Sequence, residues 1–278
     1  MRLRTLREPV EIRGIGLHTG HHATLKLLPS ERPGWWVRRV DLPGAPEFAA
    51  EVGNVHETAW STTLGGTEGL LHCSEHLLAA LSGLEVTAAT LEIDNEEVPI
   101  LDGSAQPFVE ALQRVGTREL DAVAPRWRVR RECCVQDGEK SVTAVPDDTL
   151  RVTSAVDYSH PLAPAQLFSI AVTPDSFARE IAPARTFALS EWVEPLQAQG
   201  LIQGGSLDCA FIIFPDRYSS PLRFPDEMAR HKALDLLGDL ALLGGPIVGH
   251  FTATKASHAL HVELVRKLKS GDYLTLEA

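Results

Sequence analysis

No stretch of this 278-residue chain stays apolar for anything near the roughly 20 residues that a bilayer-spanning helix needs, so no transmembrane segment is expected. The opening Met1-Arg2-Leu3-Arg4-Thr5-Leu6-Arg7-Glu8 is basic but lacks the apolar core of a secretory signal, which makes the cytoplasm the expected compartment. Cysteine is scarce. Cys73, Cys133, Cys134 and Cys209 show no C-x-x-C spacing, which argues against a disulfide framework and against a cysteine-rich zinc site. None of them sits in a context that lowers a thiol pKa, so a cysteine nucleophile is not expected either. Basic residues are outnumbered, 26 against 37 acidic, for a formal charge of -11. A nucleic-acid partner needs a basic face and is excluded on that ground. A small anionic substrate gripped by a few local lysines is not.

What is present is a soluble globular composition, 44% hydrophobic and 23% charged, in a chain long enough for one large domain or two ordinary ones. β-rich stretches in the first half are Val10 to Arg13, Ala23 to Leu27 and Ala88 to Ile93, with helical patterns at His76 to Leu84 and Phe108 to Val115. The second half repeats the plan loosely. Strands are predicted at Trp127 to Arg130, Leu150 to Val156, Ala210 to Phe214 and Ile247 to Thr254, with helices at Met228 to Leu243 and Ala259 to Leu268. This is an α+β pattern, each half packing helices on a mainly antiparallel sheet, with the boundary at Asp121 to Pro125. The two halves share negligible sequence identity.

Several residues on this scaffold could do chemistry. His231, Asp235 and Asp239 recur at i, i+4 and i+8, so they share one face of an otherwise apolar helix. Such a stripe is costly to bury unless it pairs or binds a metal. A histidine and an aspartate four apart can grip one ion, and Gly238 beside them would let another backbone come close. Glu75 and His76 are helical neighbours about 100° apart, so one suits a ligand and the other a base facing the attacking water. His258, at the start of the last predicted helix, could act as a general acid if a carboxylate held its imidazolium, and Asp239 is free to do so. Gly14 to Gly20 does not have the phosphate-loop spacing and reads as a turn between strands that carries His18.

Seven segments, in order, resemble the UDP-3-O-acyl-N-acetylglucosamine deacetylase family of lipid A biosynthesis. They are GIGLHTG (14–20), SEHLLAAL (74–81), VPILDGSAQPF (98–108), ARTF (184–187), GGSLDCA (204–210), RHKALDLLGDL (230–240) and TKASHAL (254–260). The resemblance implies two βα-sandwich domains of similar fold packed together, here residues 1–124 and 125–278, with the active site at their interface. It implies zinc held by His76, His231 and Asp235, a set of donors that also accepts ferrous iron. Glu75 would be the general base, His258 the catalytic histidine positioned by Asp239, and Thr186 a hydroxyl that meets the oxyanion. Lys232 and Lys255 would meet the phosphates of a UDP-sugar, with Leu17, His18 and Phe187 also at the substrate. An insert at about 188–206 would line the passage for the acyl chain, and Pro195 within it is expected to shorten or kink its helix. A monomer is the expected state.

The chain departs from the family pattern in two places beside His258: Ser257 replaces the usual glycine, and His261 the usual asparagine. A 2-His-1-carboxylate iron oxygenase would match the ligand count, but it has no use for Glu75 or for a His258–Asp239 pair. A binding module descended from the enzyme would have lost a ligand or the base, and none is lost.

Overall fold

The computed structural model describes residues 1–277 and is an α+β fold built on two seven-stranded sheets. Strands β1 (Arg2–Leu6), β2 (Val10–Ile15), β3 (His22–Pro29), β4 (Gly34–Arg39) and β5 (Glu47–Ala49) begin the first. A small sheet of β6 (Val55–Glu57), β7 (Thr63–Gly66) and β8 (Gly69–Leu71) follows. Helix α1 (Glu75–Gly83) leads into β9 (Ala88–Ile93), and α2 (Gln106–Val115) into β10 (Thr117–Val123). The sheet order is β10-β1-β9-β3-β2, with β4 on β9 and β5 on β4.

Ala124 and Pro125 alone separate β10 from β11 (Arg126–Val129), inside the predicted boundary. Next come β12 (Cys133–Asp137), β13 (Lys140–Val145), β14 (Leu150–Val156) and β15 (Gln166–Ala171). After the one-turn α3 (Pro174–Ser176), an excursion of β16 (Phe187–Leu189), α4 (Ser190–Ala198) and β17 (Phe211–Ile213) forms its own two-stranded parallel sheet. Pro195 lies inside α4, which ends three residues beyond it. Helix α5 (Glu227–Leu240), β18 (Ile247–Thr254), α6 (His258–Ser270) and β19 (Leu274–Glu277) complete the second sheet.

Its order is β12-β13-β18-β11-β19, with β14 on β18 and β15 on β14. Read from the other end, this is the first sheet strand for strand. Central β9 has parallel β1 and β4 on one edge and antiparallel β3 on the other. Central β18 has parallel β11 and β14 and antiparallel β13 in the same places. Helices α1 and α5 each precede the central strand, and α2 and α6 each follow it. The sheets are mainly antiparallel, as expected, and the parallel pairs arise because a helix-containing crossover returns the chain to the central strand.

The strongest inter-helix contact is between α1 and α5, and α5 also packs on β14, β15 and α6. One continuous apolar core runs through both halves. Every α5 residue except Arg230 and Lys232 is buried, so its His231–Asp235–Asp239 stripe has no solvated edge. The crossing is close because position 238 is glycine: a Cβ there would collide with the backbone carbonyl of Glu75. Among the described residues no helix is long and apolar enough to cross a membrane.

Candidate active site

The first turn of α1 faces the middle of α5. Ser74, just before α1, is tied down by its hydroxyl and its N–H, both donating to the Thr62 carbonyl (2.9 and 3.2 Å). Glu75 and His76 are thereby delivered to the crossing, both buried. His76 Nε2 lies 3.6 Å from Asp235 Oδ1, and His231 Nε2 lies 3.5 Å from the same oxygen. The two imidazoles meet edge to face at 5.0 Å. His231 Nδ1 sits 3.1 Å from the Ala184 carbonyl, which can only accept, so the ring proton is on Nδ1 and the Nε2 lone pair points at the cluster.

This donor set fits a tetrahedral metal ion. Ligand atoms about 2.1 Å from such an ion lie about 3.4 Å from one another, close to the spacing around Asp235. Charge state agrees with it. Burial pushes His231 down to about 3, against the pull of Asp235, so its imidazole is neutral. Burial alone would raise Asp235, but Lys232, His231 and His76 outweigh it and hold the carboxyl well below the usual range. Lys232 Nζ donates to Asp235 Oδ2 at 2.8 Å, leaving Oδ1 for the imidazoles.

Glu75 stands beside the cluster, and its Oε2 accepts the Thr62 N–H at 3.0 Å. Burial raises its pKa, partly offset by His258 and His76, which suits a carboxylate that must take a proton and hold it. Behind it, Asp239 is wholly inaccessible. Its Oδ1 accepts the Thr62 hydroxyl at 2.6 Å, and its Oδ2 lies 2.7 Å from His258 Nδ1. Burial would lower His258, but Asp239 overrides it and lifts the imidazole to about 9, with Asp235 and Glu75 adding to the effect. Asp239 itself is brought down to about 2, burial being outweighed by the two histidines it holds.

A cavity of about 730 Å³ opens beside this cluster. All five residues expected at the substrate (Leu17, His18, Phe187, Lys232 and Lys255) lie on its wall, together with Thr186 and His258. The Thr186 hydroxyl makes no hydrogen bond among the described residues. Its main chain is pinned at both ends, the N–H to Gly103 (2.8 Å) and the carbonyl accepting from Phe211 (3.2 Å). Phe187 stacks on Phe211 at 5.6 Å and meets Tyr158 edge-on. The 188–206 excursion adds an apolar wall from Trp192, Val193, Leu196 and Ile202. Lys255 is on the wall, yet its ammonium is already paired with Glu139 (3.1 Å) and Asp157 (3.5 Å).

Five supporting residues hold the site in ways the sequence does not mark. Thr62 links Glu75 to the His258–Asp239 pair, its N–H on Glu75 and its hydroxyl on Asp239. Arg185 and Glu227 form a buried ion pair at 2.9 Å. With the Arg185 N–H on the same carboxylate, that pair fixes the Ala184 carbonyl under His231 and turns Thr186 to the cavity. Glu97 shapes the glycine-bearing loop by accepting the N–H groups of His18 and Thr19 at 2.8 Å and the Thr19 hydroxyl at 2.7 Å. The fifth is His261, whose Nδ1 lies 2.8 Å from Asp239 Oδ2. Burial, reinforced by Glu75 and Glu97, pushes the Cys73 thiol well up, so no nucleophile hides there.

Comparison with known proteins agrees with this geometry. The family model described as LpxC, UDP-3-O-acyl N-acetylglycosamine deacetylase, matches residues 3–270. A UDP-3-O-acyl-N-acetylglucosamine deacetylase of Trichormus variabilis is 42% identical over 275 residues, covering 96% of this chain and 98% of its own length. The Myxococcus xanthus protein of the same name is 40% identical, covering 96% and 86%, and that of Leptospira biflexa 37% identical, covering 98% and 92%. Motifs, site geometry and near full-length similarity converge on one assignment: this chain belongs to the UDP-3-O-acyl N-acetylglycosamine deacetylase family.

Proposed function

We propose that the protein hydrolyses the N-acetyl group of UDP-3-O-acyl-N-acetylglucosamine, giving UDP-3-O-acyl-glucosamine and acetate, the committed step of lipid A biosynthesis. The observation that carries this is the convergence of His76, His231 and Asp235 with the separate carboxylate Glu75, beside a cavity with an apolar arm. The three-residue set would hold zinc, and the same donors accept ferrous iron. When bound, the metal makes water nucleophilic near neutral pH and polarises the acetyl carbonyl.

The chain's own residues supply the rest. Glu75 takes a proton as water oxygen bonds to the acetyl carbon. The Thr186 hydroxyl, unengaged and held by its main chain, donates to the oxygen on which charge develops. His258, kept cationic by Asp239, hands a proton to the leaving nitrogen as the C–N bond breaks, releasing the amine and acetate. Lys232 and Lys255 face the diphosphate, the latter by exchanging Glu139 and Asp157 for phosphate oxygens. Leu17, His18 and Phe187 border the sugar, and residues 188–206 cover the acyl chain. We assign residues 1–124 and 125–278 as two domains of one monomer acting in the cytoplasm, where nucleotide sugars are found.

Acetate release from the UDP-3-O-acyl substrate, before and after chelation and with zinc restored, tests the reading. Activity that vanishes with the chelator and returns with metal supports it. A folded, zinc-loaded protein that releases no acetate across several acyl lengths overturns it.

A further inference from the structure

Asp239 holds two histidines where its role in the reaction requires one. His258 is the first residue of α6, and His261 sits one turn along the same face. Both present Nδ1 to Asp239 Oδ2, at 2.7 and 2.8 Å, with rings 6.0 Å apart and nearly perpendicular. The other oxygen is taken by Thr62. A carboxylate oxygen only accepts, so each ring carries its proton on Nδ1 and the two compete for one oxygen's charge. Asp239 is 0% and His261 2% exposed, so no bulk water can replace either partner. The turn that bears His258 is otherwise held through its main chain, the Lys255 N–H donating to the Ala155 carbonyl (2.8 Å) and the Ser257 carbonyl accepting the His261 N–H (3.1 Å). Ser257, in extended backbone at the N-cap, makes no side-chain capping bond, and Lys255 just before it has a φ of +49°.

We propose that His261 is a positioning residue for the deacetylation: by sharing Asp239 Oδ2 it fixes the carboxylate, anchors the first turn of α6, and sets how firmly His258 holds its proton. This rests on His258 being the acid, as proposed above. An asparagine at 261 would place an amide N–H where the imidazole has Nδ1–H, keeping the bond, whereas an apolar residue loses it. The groups facing His258 are Asp239 and Asp235 from α5, Glu75 from α1 and His261 from its own helix, and only the last is altered by these variants. With one donor gone, Oδ2 gives more of its charge to His258, so the imidazolium becomes harder to deprotonate.

The test compares zinc-loaded wild type, His261→Leu and His261→Asn, with circular dichroism to check folding; should the leucine variant not fold, His261→Ala replaces it. ¹⁵N resonances of labelled His258 report its titration directly. In the leucine variant we expect the midpoint to rise by about one pH unit, the worth of one hydrogen bond to a charged group. We also expect kcat to fall about tenfold with KM unchanged, as when a general acid is only partly misplaced. The asparagine variant should keep the wild-type midpoint and kcat. A leucine or alanine variant matching wild type in both readouts overturns the proposal. So does an asparagine variant that falls as far as the leucine one, since the lost donor would then not be the cause. If wild type itself releases no acetate, the functional reading fails separately, and the His258 titration still decides whether His261 shares the carboxylate.

Discussion

Gly238→Ala would separate assembly of the site from stability of the fold. The added methyl would strike main-chain atoms of Glu75, its carbonyl oxygen, carbonyl carbon and Cα. Rotamer changes cannot relieve a backbone collision, so α1 and α5 must part by about 1 Å to regain van der Waals contact. His231 and Asp235 ride together on α5, and their 3.5 Å spacing survives. His76 is on the other helix, so its 3.6 Å approach to Asp235 stretches, and Glu75 withdraws with it. Overpacking costs about 1–3 kcal/mol and the gain in helix propensity returns about 1, a net loss of roughly 0–2 kcal/mol. At roughly 2–4 °C per kcal/mol for a chain of this size, Tm should drop by less than about 8 °C. Misplacement by about 1 Å, by contrast, costs about 100-fold in rate. The assay is a thermal melt, zinc affinity by competition with a chromophoric chelator, and kcat/KM for acetate release. Gly53→Ala is the control, since a Cβ there has nothing within 4 Å. A folded Gly238→Ala protein with wild-type zinc affinity and kcat/KM would refute the argument that this crossing sets the site.

Other substitutions test single roles. Glu75→Gln should retain zinc and lose about 10²–10⁴ in kcat, whereas His231→Ala should lose both metal and turnover; metal content by atomic absorption beside kinetics separates them. Thr186→Val, nearly isosteric, should lower kcat by about 10²–10³ while leaving KM unchanged, and steady-state kinetics check this. The Asp239–His258 pair should also show in the pH dependence of urea stability in the metal-free protein. His258 rises from 6.5 to about 9, so its contribution is complete below pH 6.5 and is lost as pH climbs through 9. Asp239 drops from 3.8 to about 2, so its contribution is complete above pH 3.8 and is lost as pH falls through 2. Asp239→Asn should flatten both flanks, and a variant with unchanged flanks would remove this pair as their source.

What could be read from sequence was what lies along one element. The i, i+4, i+8 spacing brought out His231, Asp235 and Asp239 because a helix converts spacing into direction, and Gly238 signalled a close neighbour without saying which. The ends of the main helices and the run of β18 were legible for the same reason. Thr62 was not. Its functional partner Asp239 is 177 residues away, and nothing near Ser61-Thr62-Thr63 marks it. Glu97 lies 78 residues from the Thr19 it grips, and no spacing pattern connects the two. Arg185 was visible within its motif, but only the fold shows that its charge is spent on Glu227 rather than on substrate. His261 could be seen as a departure from the family pattern, while its bond to Asp239 needed the packing of α6 on α5 to appear.

The repeated topology explains why the site is where it is. A sheet carrying two helices leaves the outer face of its helix layer uncovered, and here the α1 face of one half covers the α5 face of the other. The two helices occupy equivalent places in the repeat, each before its central strand, yet they contribute different groups to the seam. Helix α1 offers Glu75 and His76 from its first turn, where the helix dipole favours a carboxylate. Helix α5 offers its groups from the interior, with His231 and Asp235 toward α1 and Asp239 toward α6. Dehydration at such a seam strengthens every charge interaction in it and makes an unpaired charge expensive. That accounts for the closed chain of partners, in which Thr62 joins Glu75 to Asp239, Asp239 joins His258 to His261, and Lys232 balances Asp235. Neither half by itself contains the base, the three ligands and the acid proposed above. The proposed chemistry therefore belongs to the contact between the halves, and the glycine that permits that contact matters as much as the residues assigned to the reaction.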